Sequence, residues 1–209
     1  APNDNYFGGA SDGTGKHLVA AGTNDLYVSN DGGSTWRGAG MAGFQGTAVA
    51  YSADGSKFIY SYKNYISMHV NGIYEETPSP EAHWISLSTD ATGKVIAGAY
   101  DIGYYPNAGQ TKAIHLSLDG GFSYSTLVTN TGATTYSTVL VTDDASLVFY
   151  ATTAGVYQYN LAKKTTTKAN YTSGGTALAA SKTGKYVVVS SSTNIWVSSD
   201  YGINFKLVK

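Results

Sequence analysis

One eight-residue pattern occurs three times in this chain of 209 residues and constrains its fold more than any other feature. The pattern is Ser-x-Asp-x-Gly-x-x-aromatic, and its copies, called here the eight-residue motif, occupy positions 29–36, 117–124 and 198–205. Successive copies are separated by about two repeats of roughly 40 to 44 residues each. A repeat of this length is typical of a β-propeller or a solenoid.

A weaker signal raises the number of repeats to five. Short clusters of Asp, Gly, Ser and Lys each precede a run of β-branched or aromatic residues, which is typical of a β-hairpin. These clusters lie at 12–16, 52–57, 88–94, 142–146 and 181–185. The second and fourth repeats have lost the motif, at 68–72 and 159–163, although a hairpin is still expected there. No stretch has sustained helical spacing, so the chain is predicted to be nearly all-β.

The motif resembles the Asp-box of the sialidase-like (BNR) repeat family. The resemblance implies a single β-propeller domain over residues 1–209, with five four-stranded blades and the motif in rim hairpins. The predicted blades cover approximately 5–43, 44–80, 81–130, 131–173 and 174–209. In each motif we expect the Asp to accept backbone N–H groups of its own turn, the Gly to adopt a positive φ, and the aromatic residue to pack between blades. The residues with these structural roles are Asp31, Gly33, Trp36, Asp119, Gly121, Tyr124, Asp200, Gly202 and Phe205.

Composition narrows the range of partners and locations. Charged residues make up 13% of the chain and the net charge is −1, so no basic surface for nucleic acid is predicted. No apolar run reaches the length of a membrane span, so no membrane insertion is expected. Low charge with many Ser, Thr and Tyr residues favours an extracellular, secreted or virion-surface protein. Because the chain begins at Ala1 and not at methionine, we expect a processed chain or part of a larger surface or virion protein.

The sequence argues against sialidase chemistry and keeps one catalytic alternative. Sialidases bind a carboxylate with three arginines, whereas this chain has a single arginine, Arg37. Five-bladed glycosidases instead use carboxylates near the propeller axis. The predicted strand order places Asp4, Glu81 and Asp101 where they could reach such a site. A divergent glycoside hydrolase with this acidic trio is therefore the alternative to a non-catalytic protein.

The two ends of a propeller differ in the links that they carry. Links between the first and second strands and between the third and fourth strands share one end, called here the motif end. Links between the second and third strands, and links between blades, share the other, the link end. A tyrosine-rich insertion at 100–111 falls on the link end, and long loops in compact domains are usually functional. Tyrosine suits recognition surfaces, so the predicted ligand-binding residues are Tyr62, Lys63, Asn64, His83, Asp101, Tyr104, Tyr105 and Asn107.

These observations predict a non-catalytic extracellular recognition domain that binds a glycan or a cell-surface receptor. It would be lectin-like, or the receptor-binding head of a spike used for host-cell attachment. A scaffold that binds a protein partner is a further alternative. No cofactor is required, and the four histidines show no metal-ligand spacing. Asp143 and Asp144 could supply oxygen ligands to calcium, although the sequence favours a plain turn there.

Overall fold

The computed structural model describes residues 2–41, 44, 46–101, 112–130, 134–171 and 174–208. Twenty strands form five four-stranded antiparallel sheets, which confirms the five-bladed, all-β propeller expected from the sequence. The described residues contain no helix, and hence no helical segment with the length and hydropathy that a membrane crossing requires.

Within each blade the four strands follow one another in chain order, from the innermost to the outermost. Blade 1 contains β1 (Tyr6–Ser11), β2 (Leu18–Gly22), β3 (Leu26–Ser29) and β4 (Arg37–Gly38). Blade 2 contains β5 (Val49–Tyr51), β6 (Lys57–Tyr62), β7 (Tyr65–Val70) and β8 (Ile73–Glu76). Blade 3 contains β9 (His83–Thr89), β10 (Ile96–Asp101), β11 (Lys112–Ser117) and β12 (Ser125–Asn130).

The last two blades repeat this arrangement. Blade 4 contains β13 (Tyr136–Val141), β14 (Leu147–Thr152), β15 (Gly155–Asn160) and β16 (Thr165–Lys168). Blade 5 contains β17 (Ala177–Ala180), β18 (Val187–Ser190), β19 (Ile195–Ser198) and β20 (Lys206–Leu207). Because successive strands are antiparallel, all three eight-residue motifs lie at one end of the sheets, and the β2–β3 type links lie at the other.

The core lies between the blades. The innermost strands of successive blades pack in order, β1 on β5, β5 on β9, β9 on β13 and β13 on β17. The second strands of the middle blades are covered on both faces, so that all six residues of β14 are buried. Strands covered on both faces read as continuous apolar runs, as Leu147–Thr152 does, because neither face meets water.

A chain of backbone hydrogen bonds joins the first hairpins of neighbouring blades at the motif end. In each bond an N–H group of one blade donates to a carbonyl of the following blade. The four bonds are Gly13 to Ala53 (2.8 Å), Asp54 to Ala91 (2.9 Å), Ala91 to Asp143 (3.1 Å) and Asp144 to Lys182 (3.4 Å). Each of blades 1 to 4 is therefore held to the next blade by main-chain contacts at the motif end as well as by side-chain packing.

The two repeats that lack the motif still form hairpins. In blade 2, Asn71 and Gly72 adopt φ values of 51° and 84° and make a two-residue turn between the paired residues Val70 and Ile73. In blade 4, Asn160 Oδ1 accepts the backbone N–H of Lys163 at 2.8 Å. Ordinary turn chemistry thus replaces the motif where its sequence is lost.

Candidate functional site

The eight-residue motif closes on itself through a compact hydrogen-bond network. In blade 3, Ser117 Oγ donates to Asp119 Oδ1 at 2.7 Å and accepts the N–H of Gly121 at 2.9 Å. Asp119 also accepts the backbone N–H and the hydroxyl of Ser123, at 2.9 and 2.5 Å. Blades 1 and 5 repeat this network around Asp31 and Asp200, where Thr35 and Asn204 take the place of Ser123.

These hydrogen bonds hold the three aspartates ionised. The hydroxyl of Thr35 is the largest cause that lowers the pKa of Asp31 to about 2, and the hydroxyl of Ser123 lowers that of Asp119 to about 2. The backbone N–H of Asn204 is the main cause that lowers the pKa of Asp200 to about 2. All three carboxylates are engaged by their own turns, so they close hairpins and are poorly suited to proton transfer near neutral pH.

The motif therefore predicts a specific acid sensitivity. Because the folded pKa of about 2 lies below the ordinary value of 3.8, each aspartate stabilises the fold fully above about pH 4. This stabilisation is lost as the pH falls toward about 2, since protonation removes the acceptor charge. Urea unfolding across this pH range should show a falling midpoint.

The matched control is the triple variant Asp31→Asn, Asp119→Asn and Asp200→Asn. It should be less stable than the parent near neutral pH but should lose less stability between about pH 4 and pH 2. Equal losses in the two proteins would show that these carboxylates do not carry the acid sensitivity.

The motif aromatics do not all have the same surroundings. Tyr124 packs into the core between blades 2 and 3, and Phe205 packs against the buried core of blade 4. Phe205 lies 5.4 Å from the ring of Tyr171 between centroids. Trp36 instead lines an open groove on blade 1, with its Nε1 donating to the carbonyl of Gly33 at 2.9 Å. Two of the three aromatics therefore lie between blades, and the third does not.

At the link end, the turn between β6 and β7 is rigidly held. Lys63 and Asn64 adopt φ values of 47° and 70°, as a two-residue hairpin turn between the paired Tyr62 and Tyr65 requires. The carbonyl of Asn64 accepts the backbone N–H of Ala82 at 2.7 Å and Trp84 Nε1 at 3.1 Å. The turn is thus fixed to the strand that begins blade 3.

A carboxylate completes the polar side of this turn. Glu81 accepts hydrogen bonds from Asn64 Nδ2 and from the hydroxyl of Tyr65, each at 3.4 Å. The charge of Glu81 is the largest cause that raises the pKa of Tyr65. The sequence predicts Glu81 only as a catalytic residue, since nothing in the pattern indicates its hydrogen bonds to Asn64 and Tyr65.

Tyr62 and Lys63 form an aromatic and cationic pair on the other side of the 63–64 turn. The ring of Tyr62 stacks on that of Phe44 with centroids 5.7 Å apart and an interplanar angle of 11°. The ammonium group of Lys63 lies 4.9 Å from the centroid of the Tyr62 ring, within the range of a cation–π contact. Lys63 is exposed and Tyr62 is partly buried. Phe44 was missed from the sequence because it lies outside every repeated pattern.

The remaining predicted ligand-binding residues divide into two groups. His83 directly follows Ala82 and pairs with Asp101 across β9 and β10, so its backbone adjoins the 63–64 turn. Its Nδ1 is buried and has no hydrogen-bond partner within the described part of the chain. Tyr104, Tyr105 and Asn107 lie outside the described residues. The structure thus gathers Tyr62, Lys63, Asn64 and His83 around the start of blade 3.

The acidic residues of the catalytic alternative have separate local partners. Asp4 accepts the backbone N–H and side-chain Nδ2 of Asn24, both at 3.0 Å, and so caps the β2–β3 turn of blade 1. Burial raises the pKa of Asp4, but the hydrogen bonds from Asn24 and Asn5 outweigh it and lower the pKa overall. Glu81 is bound to the turn in blade 2. Neither carboxylate has a hydrogen bond to another carboxylate among the residues that the structure describes.

The proposed calcium ligands are also engaged locally. Asp144 Oδ1 accepts the hydroxyls of Thr142 and Ser146, each at 2.7 Å. Across the described ranges, no group of three or more His, Asp or Glu side chains is arranged to hold a metal ion. Calcium binding stays a prediction from the sequence.

Comparison with known proteins gives similarity in structure but not in sequence. No protein-family model and no curated protein matches the chain. An ancestral GH74 enzyme superposes with a TM-score of 0.76 at 17% identity, over all of this chain and 32% of that chain. A GH74 enzyme from Niastella koreensis gives a TM-score of 0.70 at 20% identity, over 98% of this chain and 31% of that chain.

A third solved structure, a putative TolB from Agrobacterium tumefaciens, gives a TM-score of 0.72 at 14% identity over 99% of this chain and 81% of that chain. The chain thus spans about a third of the length of the two GH74 enzymes. At these identities the likeness concerns the fold alone. The chain is a five-bladed β-propeller that shares its blade arrangement with enzymes and with a TolB-like protein.

Proposed function

We propose that this propeller is a non-catalytic recognition domain that binds a glycan or a cell-surface receptor at its link end. The observation that supports it best is the preorganised patch around the 63–64 turn. There Asn64 is held by hydrogen bonds to Ala82, Trp84 and Glu81. The neighbouring ammonium group of Lys63 lies over the ring of Tyr62. A patch ordered before binding loses little conformational entropy when a ligand arrives.

The chemistry of the patch suits a polyhydroxylated ligand. The amide of Asn64 and the carboxylate of Glu81 can bind hydroxyl groups, and the ammonium group of Lys63 can bind an acidic sugar or an oxygen-rich one. The Tyr62 ring, supported from behind by Phe44, offers apolar surface beneath Lys63. The tyrosine-rich insertion at 100–111 begins with the last two residues of β10, at the same end of blade 3.

The proposal is tested by glycan-array screening with and without calcium, followed by titration of the best ligand. Lys63→Ala and the double variant Tyr104→Ala with Tyr105→Ala should each lose most of the binding while keeping the parent's melting temperature. Phe122→Ala, an aromatic that is 70% exposed at the motif end, is the matched control and should bind normally. Normal binding by both link-end variants, or loss in the control, would contradict the proposed location.

A divergent glycoside hydrolase is the second candidate. It is favoured by the fold similarity to GH74 enzymes and by the strand order, which brings Asp4, Glu81 and the end of β10 to one end of the propeller. In the non-catalytic proposal, sialoside, arabinan, fructan and xylan substrates stay intact. Hydrolysis that disappears in Glu81→Gln would replace recognition by catalysis. A protein-binding scaffold would show instead as binding to a receptor ectodomain with no array signal.

Two further expectations accompany this proposal. Membership in the Asp-box family is supported by the motifs of blades 1, 3 and 5, in which the same positions are joined by hydrogen bonds. An extracellular or virion-surface location is supported by the low charge and the many Ser, Thr and Tyr residues of the sequence.

A further inference from the structure

The blade 5 sheet has one face toward blade 4 and one face away from it, and the face away from blade 4 is apolar and uncovered. We call it the trailing face, and strand pairing assigns to it Ala177, Ala179, Val188, Ile195 and Val197. Tyr186, two residues before Val188, continues the same alternation. Tyr186 and Ile195 are each 53% exposed, whereas the alternating residues Val187 and Val189 are fully buried. In blade 3 the corresponding side is covered by blade 4, and Ala97 and Ala99 there are fully buried. Blade 5 thus presents a surface that every preceding blade buries.

Blade 1 has the complementary surface, called here the leading face. Its open groove of about 340 Å³ is lined by Gly9, Ala10, Ser11, Leu18, Val19, Ala20 and Trp36. Phe7 beside it is 58% exposed. The equivalents of Trp36 in blades 3 and 5, Tyr124 and Phe205, pack on the blade that precedes them. The groove therefore lies where a preceding blade would pack.

The chain of backbone hydrogen bonds at the motif end begins at blade 1 and ends at blade 5, the two blades that carry these faces. The accepting carbonyl lies one residue beyond the start of the first hairpin turn in blades 2 to 5, at Ala53, Ala91, Asp143 and Lys182. The equivalent carbonyl in blade 1 is that of Gly13, and it accepts no backbone hydrogen bond from the described residues. In blade 5 the N–H of Lys182 is equivalent to the donors Gly13 and Ala91, and that of Thr183 to the donors Asp54 and Asp144. Neither has a backbone acceptor among the described residues. Blade 5 thus has a free donor of each kind, and blade 1 has the free acceptor, that the four internal bonds use.

We propose that two copies of this chain associate head to tail, with the trailing face of each on the leading face of the other. Each contact between a trailing face and a leading face, called here a seam, would then repeat the packing that already joins blades 1 to 5 within one chain. It would also repeat the backbone hydrogen bond at the motif end. A second copy is the partner that these observations favour, because the chain carries both complementary faces. In such a pair each chain would contribute one trailing face and one leading face, so the two seams would be identical and no apolar face would stay uncovered.

The test uses light scattering coupled to size-exclusion chromatography. The parent should elute at twice the chain mass of 21.9 kDa. Ile195→Glu on the trailing face and Ala20→Glu on the leading face should each give monomers, because each buries a charge in both seams. A mixture of these two variants should regain dimers, since one pair of undamaged faces remains.

The control is Ile73→Glu, which replaces an isoleucine that is 59% exposed on the outermost strand of blade 2 and should stay dimeric. Melting temperatures check that all variants are folded. A parent that is monomeric at its highest soluble concentration overturns the proposal. Loss of dimer in only one of the two face variants, or failure of the mixture to pair, also overturns it, because a contact between like faces would give the first result.

Discussion

Replacing Trp84 by alanine is expected to lower the free energy of unfolding by about 3–5 kcal/mol. Trp84 is 1% exposed and lies in the core between blades 2 and 3. Its ring packs edge-on against Tyr100 and His115, with centroids 5.3 and 5.9 Å away. A Cβ on Gly98 would lie only 2.7 Å from the indole, which shows how closely the backbone covers it. Alanine therefore leaves a cavity that these strands cannot close by a small shift.

Urea unfolding of Trp84→Ala and Trp84→Phe separates packing from hydrogen bonding. Phenylalanine keeps most of the ring but loses the Nε1 donor to Asn64, so a smaller loss of about 1–2 kcal/mol is expected. Both variants should also weaken ligand binding, since this donor fixes the 63–64 turn. A loss below about 1 kcal/mol for alanine would mean that the core repacks around the site.

Gly202→Ala should lower the free energy of unfolding by about 2–6 kcal/mol, because strain and overpacking act together. Gly202 has φ of 75°, a conformation that costs a residue with a Cβ about 1–3 kcal/mol. Its added Cβ would also lie 2.7 Å from Cε1 of Phe149, whose side chain is fully buried. The clash adds about 1–3 kcal/mol, since Phe149 has no room to move.

The matched control for this prediction is Gly72→Ala. Gly72 has φ of 84°, and a Cβ there would meet no atom within 4 Å. It should therefore lose only the conformational part, about 1–3 kcal/mol, in the same urea measurement. If the two variants lose equal stability, the contact between the motif turn of blade 5 and blade 4 is not tightly packed.

The sequence predicted the fold because its strongest signals are local. The residues that form the hydrogen-bond network of Asp119 all lie within four positions of it: Ser117, Gly121 and Ser123. Their spacing in the sequence therefore already indicates the hydrogen bonds. The first hairpins likewise join strands that are neighbours in the chain. Five repeats of such units leave a propeller as the arrangement that buries both faces of the sheets.

The candidate site was predicted only in part. The predicted strand order places four of the site residues at the link end: Tyr62, Lys63, Asn64 and His83. This follows because successive strands are antiparallel, so alternate links lie at the same end of the sheets. The stacking of Phe44 on Tyr62 and the hydrogen bonds that Glu81 accepts from Asn64 and Tyr65 join residues 16 to 18 positions apart. Phe44 and Glu81 both lie in links between the sheets. Contacts of that kind depend on how blades sit against one another, which no local pattern encodes.

The seam faces show the same limit most clearly. The run Tyr186–Val187–Val188–Val189 has the same apolar character as Leu147–Val148–Phe149–Tyr150, and both predict a strand covered on two faces. The tertiary structure covers both faces of β14 but only one face of β18. The sequence by itself determined that these strands need apolar neighbours, whereas only the packing of whole blades decided which strands have them, because burial depends on what lies across the interface.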